Sequence, residues 1–202
     1  MLSAEDRDAV ANAIRQAETR TAGEIVVVIE RAAGSYLALP VVIALGLALL
    51  VPWPLLWLTM TSAPRIFLIQ LVTAAVLLVT LLWYGRGGAF VPRFVKRRHA
   101  HDAALREFTA RGLAETRGRT GVMLYVALRE RYAEILADSF VHARVEAESW
   151  RGIIERLLLA ASEDRLRDGL IAAVADVGDV LAQHAPRAGD DVDELPNKVV
   201  IL

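Results

Sequence analysis

The chain contains no cysteine, which excludes disulfide staples, thiolate metal sites and a cysteine nucleophile and leaves the redox compartment open. Charge of one dominant sign is also missing: 23 Lys and Arg stand against 24 Asp and Glu, for a formal net charge of -1. Nucleic acid is therefore not an expected partner, because a phosphate backbone rewards a clustered basic face. No Ser-His-Asp spacing, phosphate loop or dinucleotide-type glycine pattern occurs, so nucleophilic and nucleotide chemistry have no motif behind them. A secretory leader is not expected either. The first residues carry Glu5, Asp6, Arg7, Asp8 and Arg15, where a leader needs a short basic region and an apolar stretch.

What the chain does have is apolar length. Hydrophobic residues make up 55% of it, and the excess sits in two runs without a charge, 36–60 and 66–84. Each reaches the roughly 20 residues that cross a hydrocarbon core about 30 Å thick. Both are predicted to span a bilayer. Their short join, Thr61-Ser62-Ala63-Pro64-Arg65, predicts an antiparallel helical hairpin that turns around Pro64. Arg65 is the lone cation of the join, against Arg31 before the first span and Arg86, Arg93, Lys96, Arg97 and Arg98 after the second. Positive charge stays inside, so both soluble flanks and both termini are expected in the cytoplasm, on an integral inner-membrane protein with two spans. Trp53, Trp57, Trp83 and Tyr84 lie near the span ends, where amphipathic rings favour the interface.

With the hairpin removed, about 150 residues remain, enough for one ordinary domain. Ser3 and Asp6 form a helix cap ahead of Val10, Ile14, Ala17 and Thr21, so a first helix is predicted over 3–20. After Gly23, the β-branched run 24–30 reads as a buried strand. Beyond the spans, Gly85-Arg86-Gly87-Gly88 breaks the helix, and a new helix is predicted over 93–115. A second strand follows at 122–128, and a third at 132–138 pairs antiparallel with it across Arg129-Glu130-Arg131. Ala17-Glu18-Thr19-Arg20 precedes strand one much as Ala114-Glu115-Thr116-Arg117 precedes strand two. That similarity has two readings, a repeated helix-then-strand unit or a chance match of common helix-end residues. Helices from about 145 and 166 place Trp150, Ile153 or Ile154, Leu157 and Ala161, and then Leu170, Val174, Val177 and Leu181, toward the sheet. The fold expected is α/β, a small mixed central sheet flanked by helices and interrupted by the hairpin. Its parts are 1–31, the hairpin at 36–84, 93–186, and a polar tail at 187–202 whose last residues, 199–202, add an edge strand or dock on the core.

Several segments resemble a known family. Thr21-Ala22-Gly23-Glu24-Ile25-Val26-Val27, Thr120-Gly121-Val122-Met123-Leu124-Tyr125-Val126, Glu130-Arg131 and Ile135-Leu136-Ala137-Asp138 are similar to the signature segments of the TPM domain. That domain is named for a thylakoid-lumen protein, a photosystem repair factor and a nematode receptor modulator. Trp150, Gly169-Leu170 and Glu194-Leu195-Pro196-Asn197 extend the similarity over both flanks and skip the hairpin. The resemblance implies an α/β sandwich with a small central sheet, and a divalent-metal or phosphatase-like site is attributed to some members. Members commonly place the domain outside the cytoplasm behind a leader. This chain departs from that pattern in its expected topology and in carrying the hairpin between strand one and the next helix.

Asp138 leads the candidate residues, since it closes an apolar strand just before a polar turn. There a carboxylate binds a hard cation, calcium or magnesium, or caps the turn through backbone amides. Glu24, at the mouth of strand one, joins it if the two strands are neighbours, and is otherwise a solvated strand-end charge. Thr21 and Thr120 precede the paired glycines and offer hydroxyls to a phosphate or metal, or to the turns themselves. Asp190, Asp191, Asp193 and Glu194 lack the glycine and spacing of an EF-hand loop and read as a solvated tail. His99 and His101 point to different sides of a helix, and His142 and His184 are isolated.

Lys96-Arg97-Arg98, with Arg86 and Arg93, read as juxtamembrane cations that set topology and adhere to an anionic leaflet. With both crossings inside the fold, the domain is expected to lie against the bilayer. Its first expected role is a binding or assembly module for another membrane protein. The second is a metal-assisted phosphomonoester hydrolase built on Asp138 and Glu24. In a third, the hairpin is the working element and packs through Ala44, Gly46 and Ala48.

Overall fold

A computed structural model describes the chain except for residues 1, 35–37, 61, 86–90, 117 and 188–198. The elements run α1 (Ala4–Glu18), β1 (Ile25–Glu30), α2 (Ala38–Leu50), α3 (Pro52–Leu58), α4 (Ala63–Gly85), α5 (Arg93–Ala110), β2 (Val122–Ala127), β3 (Tyr132–Ala137), α6 (Ser139–His142), α7 (Ala147–Ser162), α8 (Leu166–His184) and β4 (Val199–Ile201). They divide into two compact units: 1–33 with 97–202, and 34–96.

The first unit is built on a four-stranded mixed sheet in the order β3-β2-β1-β4. β1 is parallel to β2 with Ile25 opposite Val122, and parallel to β4 with Val27 opposite Val199. β2 is antiparallel to β3 with Val122 opposite Ala137. Helices cover both faces, and β1 and β2 accordingly read as unbroken apolar runs. On one face Ile25, Val27, Val122 and Leu124 meet Val10 and Ile14 of α1, Ile153 and Leu157 of α7, and Leu170, Val174 and Leu181 of α8. On the other, Val26, Val28, Met123 and Tyr125 meet Ala100, Ala103 and Ala104 of α5 and Leu113. Small residues on α5 leave room for Tyr125 to be wholly buried beneath it.

Local boundaries differ from the sequence expectations for identifiable reasons. The cap is the predicted one: Ser3 Oγ accepts from the Asp6 amide at 3.0 Å, and an Asp6 carboxylate oxygen accepts from the Ser3 amide at 2.8 Å. At its other end α1 stops at Glu18, so Thr21 belongs to the loop before β1 and not to a helix face. α5 ends at Ala110 rather than running to 115, because Gly112 adopts a left-handed φ of 69° and a short 3-10 turn, Leu113–Glu115, follows. β3 ends at Ala137, and Asp138 is the N-cap of α6. In α7 the buried small residue is Ala160, with Ala161 half-buried beside it. The edge strand left open at the C-terminus is β4.

The second unit holds two segments long and apolar enough to cross a membrane, Ala38–Leu58 and Ala63–Trp83. The first is two helices, α2 and α3, meeting at Val51. Pro52 has no amide hydrogen to continue α2, and it occupies the first position of α3 instead. Pro64 lies in the first turn of α4 and so is not the pivot of the join. α2 packs along α4 with Ala44 and Ala48 buried, as is Ile66. Gly46 does not share that seam, since a Cβ built there meets nothing within 4 Å. Leu45, Leu49, Trp53, Trp57, Phe67 and Leu71 are exposed, an apolar surface suited to hydrocarbon and costly in water.

Candidate functional site

Parallel pairing of β1 with β2 and antiparallel pairing of β2 with β3 bring three chain segments to one end of the sheet. The Glu24 carbonyl accepts from the Val122 amide at 2.8 Å, and the Gly121 carbonyl accepts from the Asp138 amide at 2.9 Å. Glu24, Thr120 and Asp138 therefore share this end, with β2 lying between the strands of Glu24 and Asp138 rather than the two being neighbours. Glu24 is 8% exposed and Asp138 7%, so neither is a solvated strand-end charge.

The threonine hydroxyls are engaged in holding the loops. Thr21 Oγ1 donates to the Ala185 carbonyl at 2.6 Å and accepts from the Gly23 amide at 3.0 Å, tying the entry to β1 onto the end of α8. Thr120 Oγ1 donates to the Ala22 carbonyl at 2.8 Å, joining the entries of β1 and β2. Glu18, which the sequence reading passed over, accepts from the Ile25 amide through Oε1 at 2.9 Å and is itself buried. Its signal was an acid in the last turn of an amphipathic helix, a position disfavoured by the helix dipole unless the side chain has other work.

Asp138 accepts from the Ser139 amide through Oδ1 at 2.5 Å, the capping role of the two weighed for it. Its Oδ2 is buried and has no hydrogen-bond partner among the described residues, as is the case for Thr116 Oγ1. A buried carboxylate oxygen left open is a feature that one cation ligand would have. It supplies one donor, whereas calcium takes six to eight oxygens, and the protons of both threonine hydroxyls are held by backbone carbonyls. Among the described residues no group of three or more His, Asp and Glu is placed to hold a metal ion. Asp190, Asp191, Asp193 and Glu194 lie outside the described residues.

A second polar group lies on the α5 face, toward the carboxyl ends of β1 and β2. The Tyr125 hydroxyl donates to Glu30. Tyr132 donates to Glu134 at 2.8 Å, and His101 Nδ1 meets the same carboxylate at 2.9 and 3.0 Å. Desolvation, then the carboxylate partner, raises both tyrosines above their ordinary value, and the Arg97 charge opposes the rise at Tyr132. The period of two along the strands placed Glu30, Tyr125 and Glu134 on one face. Their meeting with His101 depended on α5 lying over that face.

Recesses occur elsewhere. Cavities of about 320, 550 and 390 Å³ surround the α7–α8 turn, and Glu24, Thr21, Thr120 and Asp138 line none of the three. The last is bounded by Val126, Leu128, Arg131, Tyr132, Leu158 and Asp164 among others.

Among solved structures the chain is similar to the NMR structure of BA42 protein from the psychrophilic bacteria Bizionia argentinensis sp. nov., with a TM-score of 0.62 and 22% identity over 100% of this chain and 96% of that one. That likeness shows a shared fold. No family model and no curated protein matches the chain.

Proposed function

We propose that the chain is an integral membrane protein whose α/β unit works at the bilayer surface as a binding or assembly module for another membrane protein. The carrying observation is the place of the apolar hairpin: it is inserted between the adjacent parallel strands β1 and β2 rather than appended at a terminus. A hairpin carried inside the β1–β2 connection ties the α/β unit to the bilayer by two chain connections, which suits a partner confined to the same bilayer. The similarity of the strand segments to the TPM domain supports the reading, as accessory and maturation roles are associated with that family. On this reading both termini are cytoplasmic, and Arg31, Arg93, Lys96, Arg97 and Arg98 hold that orientation.

Photo-crosslinking of the full chain in native membranes, from probes placed along the α5 face and β3, is expected to capture a discrete integral membrane protein. A reporter fused after Leu202 is expected to be active on the cytoplasmic side. Extraction of the chain from membranes by alkaline carbonate would refute the membrane assignment. Divalent-metal-dependent hydrolysis of phosphomonoesters by the purified chain, lost in Asp138→Asn with its fold intact, would replace the binding module with an enzyme.

A further inference from the structure

Arginines are distributed unevenly over the α/β unit. Five of those on or beside α1, α7 and α8 are ion-paired, Arg20 with Asp179, Arg151 with Glu148, Arg156 with Asp176, Arg165 with Glu163 and Arg167 with Asp6, while Arg7, Arg15 and Arg144 meet the Ser3 carbonyl, Asn12 and the Phe140 carbonyl. At the carboxyl ends of β1 and β2 four arginines come together. Arg31, Arg97, Arg129 and Arg131 are exposed, and none of them forms an ion pair among the described residues.

Backbone geometry gathers these cations. The Leu128 amide donates to the Glu30 carbonyl at 3.0 Å and the Arg129 amide to the Arg31 carbonyl at 3.1 Å, so β1 and β2 stay side by side past their ends and set Arg31 beside Arg129. Arg131 closes the β2–β3 turn at a left-handed φ of 50°, a conformation glycine takes freely and a long side chain takes under strain. The turn did not need a guanidinium. Arg97 acts electrostatically on Tyr132, the next residue. The acids nearby are drawn inward: Glu30 accepts from Tyr125, and Glu130 Oε2 is buried. Asp164, beside Arg131 on the apolar-floored 390 Å³ recess, is the acid on that wall.

We propose that this end of the sheet is a docking surface for the anionic headgroups of a phospholipid leaflet, a role that rests on the membrane reading above. Guanidinium forks bind phosphate oxygens two at a time, and the neighbouring recess with Val126, Leu128 and Leu158 in its wall suits the apolar part of a lipid better than a free ion. The strand end carrying Arg31 is also the one from which the chain runs on into the hairpin sequence. Each arginine contributes about fivefold to the docked population at an anionic surface. Arg31, Arg93, Lys96, Arg97 and Arg98 stand out in the sequence as juxtamembrane cations; Arg129 and Arg131 reach the same end as Arg31 through β1–β2 pairing and the β2–β3 turn.

The test uses the full chain in nanodiscs of phosphatidylcholine, with and without phosphatidylglycerol, followed by hydrogen exchange of the amides in 30–33 and 128–132. Exchange there is expected to slow several-fold in the anionic discs. Added salt should abolish the difference, as should the combination Arg31→Gln, Arg129→Gln and Arg131→Asn, whereas Arg151→Gln with Arg156→Gln should retain it. If the triple variant fails to fold, Arg129→Gln alone should remove most of the protection. Equal exchange in the two discs overturns the proposal, and so does equal loss in the paired control variant. Protection by inorganic phosphate in zwitterionic discs would also overturn it, as the mark of a phosphate site. A chain that does not enter discs at all would instead refute the membrane reading on which the proposal stands.

Discussion

Replacing Gly121 with alanine should destabilise the α/β unit by about 2 to 3 kcal/mol, in the range of an overpacked core. A Cβ at this position would lie 2.5 Å from the Leu113 carbonyl oxygen and 3.1 Å from Leu113 Cδ2. Ordinary contact begins near 3.4 Å, so the obstacle must retreat by most of an ångström. That obstacle is backbone, held in a 3-10 turn, with Leu113 wholly buried above β2. Side-chain rotation cannot relieve it. Displacing Gly121 instead would strain the 2.9 Å bond from the Asp138 amide to the Gly121 carbonyl and open the end of the sheet where Asp138 sits. For a unit of this size the loss corresponds to a fall of roughly 10 °C in apparent melting temperature, read by far-ultraviolet circular dichroism of the full chain in detergent. Gly152→Ala is the matched control. On α7 its Cβ meets Arg156 Nη1 at 3.5 Å, an ordinary contact, and the gain in helix propensity should stabilise by up to about 1 kcal/mol. A Gly121→Ala protein that melts with the wild type would refute the close packing of Leu113 over the start of β2.

Thr21→Val should cost about 1 to 3 kcal/mol, because it removes the acceptor of the buried Gly23 amide, whereas Thr21→Ser keeps both hydroxyl bonds and should lose under about 1 kcal/mol; urea titration of the two variants separates these outcomes. The tyrosine at the other end predicts a pH dependence. Tyr125 holds its proton more tightly when folded, since desolvation and Glu30 raise it above the ordinary 10.0, so the unfolded chain ionises first. Stability is then full below about pH 10 and falls as pH rises beyond it, and melting curves across that interval should lose part of their alkaline slope in Tyr125→Phe. In the hairpin, Ala48→Ile should disrupt the α2–α4 seam where Ala48 is buried, while Gly46→Ala, facing open space, should not; protease resistance of the reconstituted chain reports the difference.

Hydrophobic patterning alone determined much of this protein. Two charge-free runs announce apolar helices, the β-branched runs before and after them announce buried strands, and the Ser3–Asp6 cap, the β2–β3 hairpin and the α7 and α8 faces are all local signals that survive in the folded chain. Each depends on interactions among residues close in sequence, or on a period that any partner surface would satisfy. Tertiary structure decided which strands are neighbours, and with that the chemistry of both sheet ends. Pairing of β1 with β2 across the hairpin buried Glu24 and set Arg31 beside Arg129. Packing of α5 over the second face turned His101, Tyr132 and Glu134 into one network, and docking of α8 drew Thr21 onto Ala185. The order β3-β2-β1-β4 placed Asp138 on the same end as Glu24 but a strand away. Hydrogen bonds between residues a hundred positions apart have no period and no local composition to announce them. They exist once the backbone has chosen its neighbours.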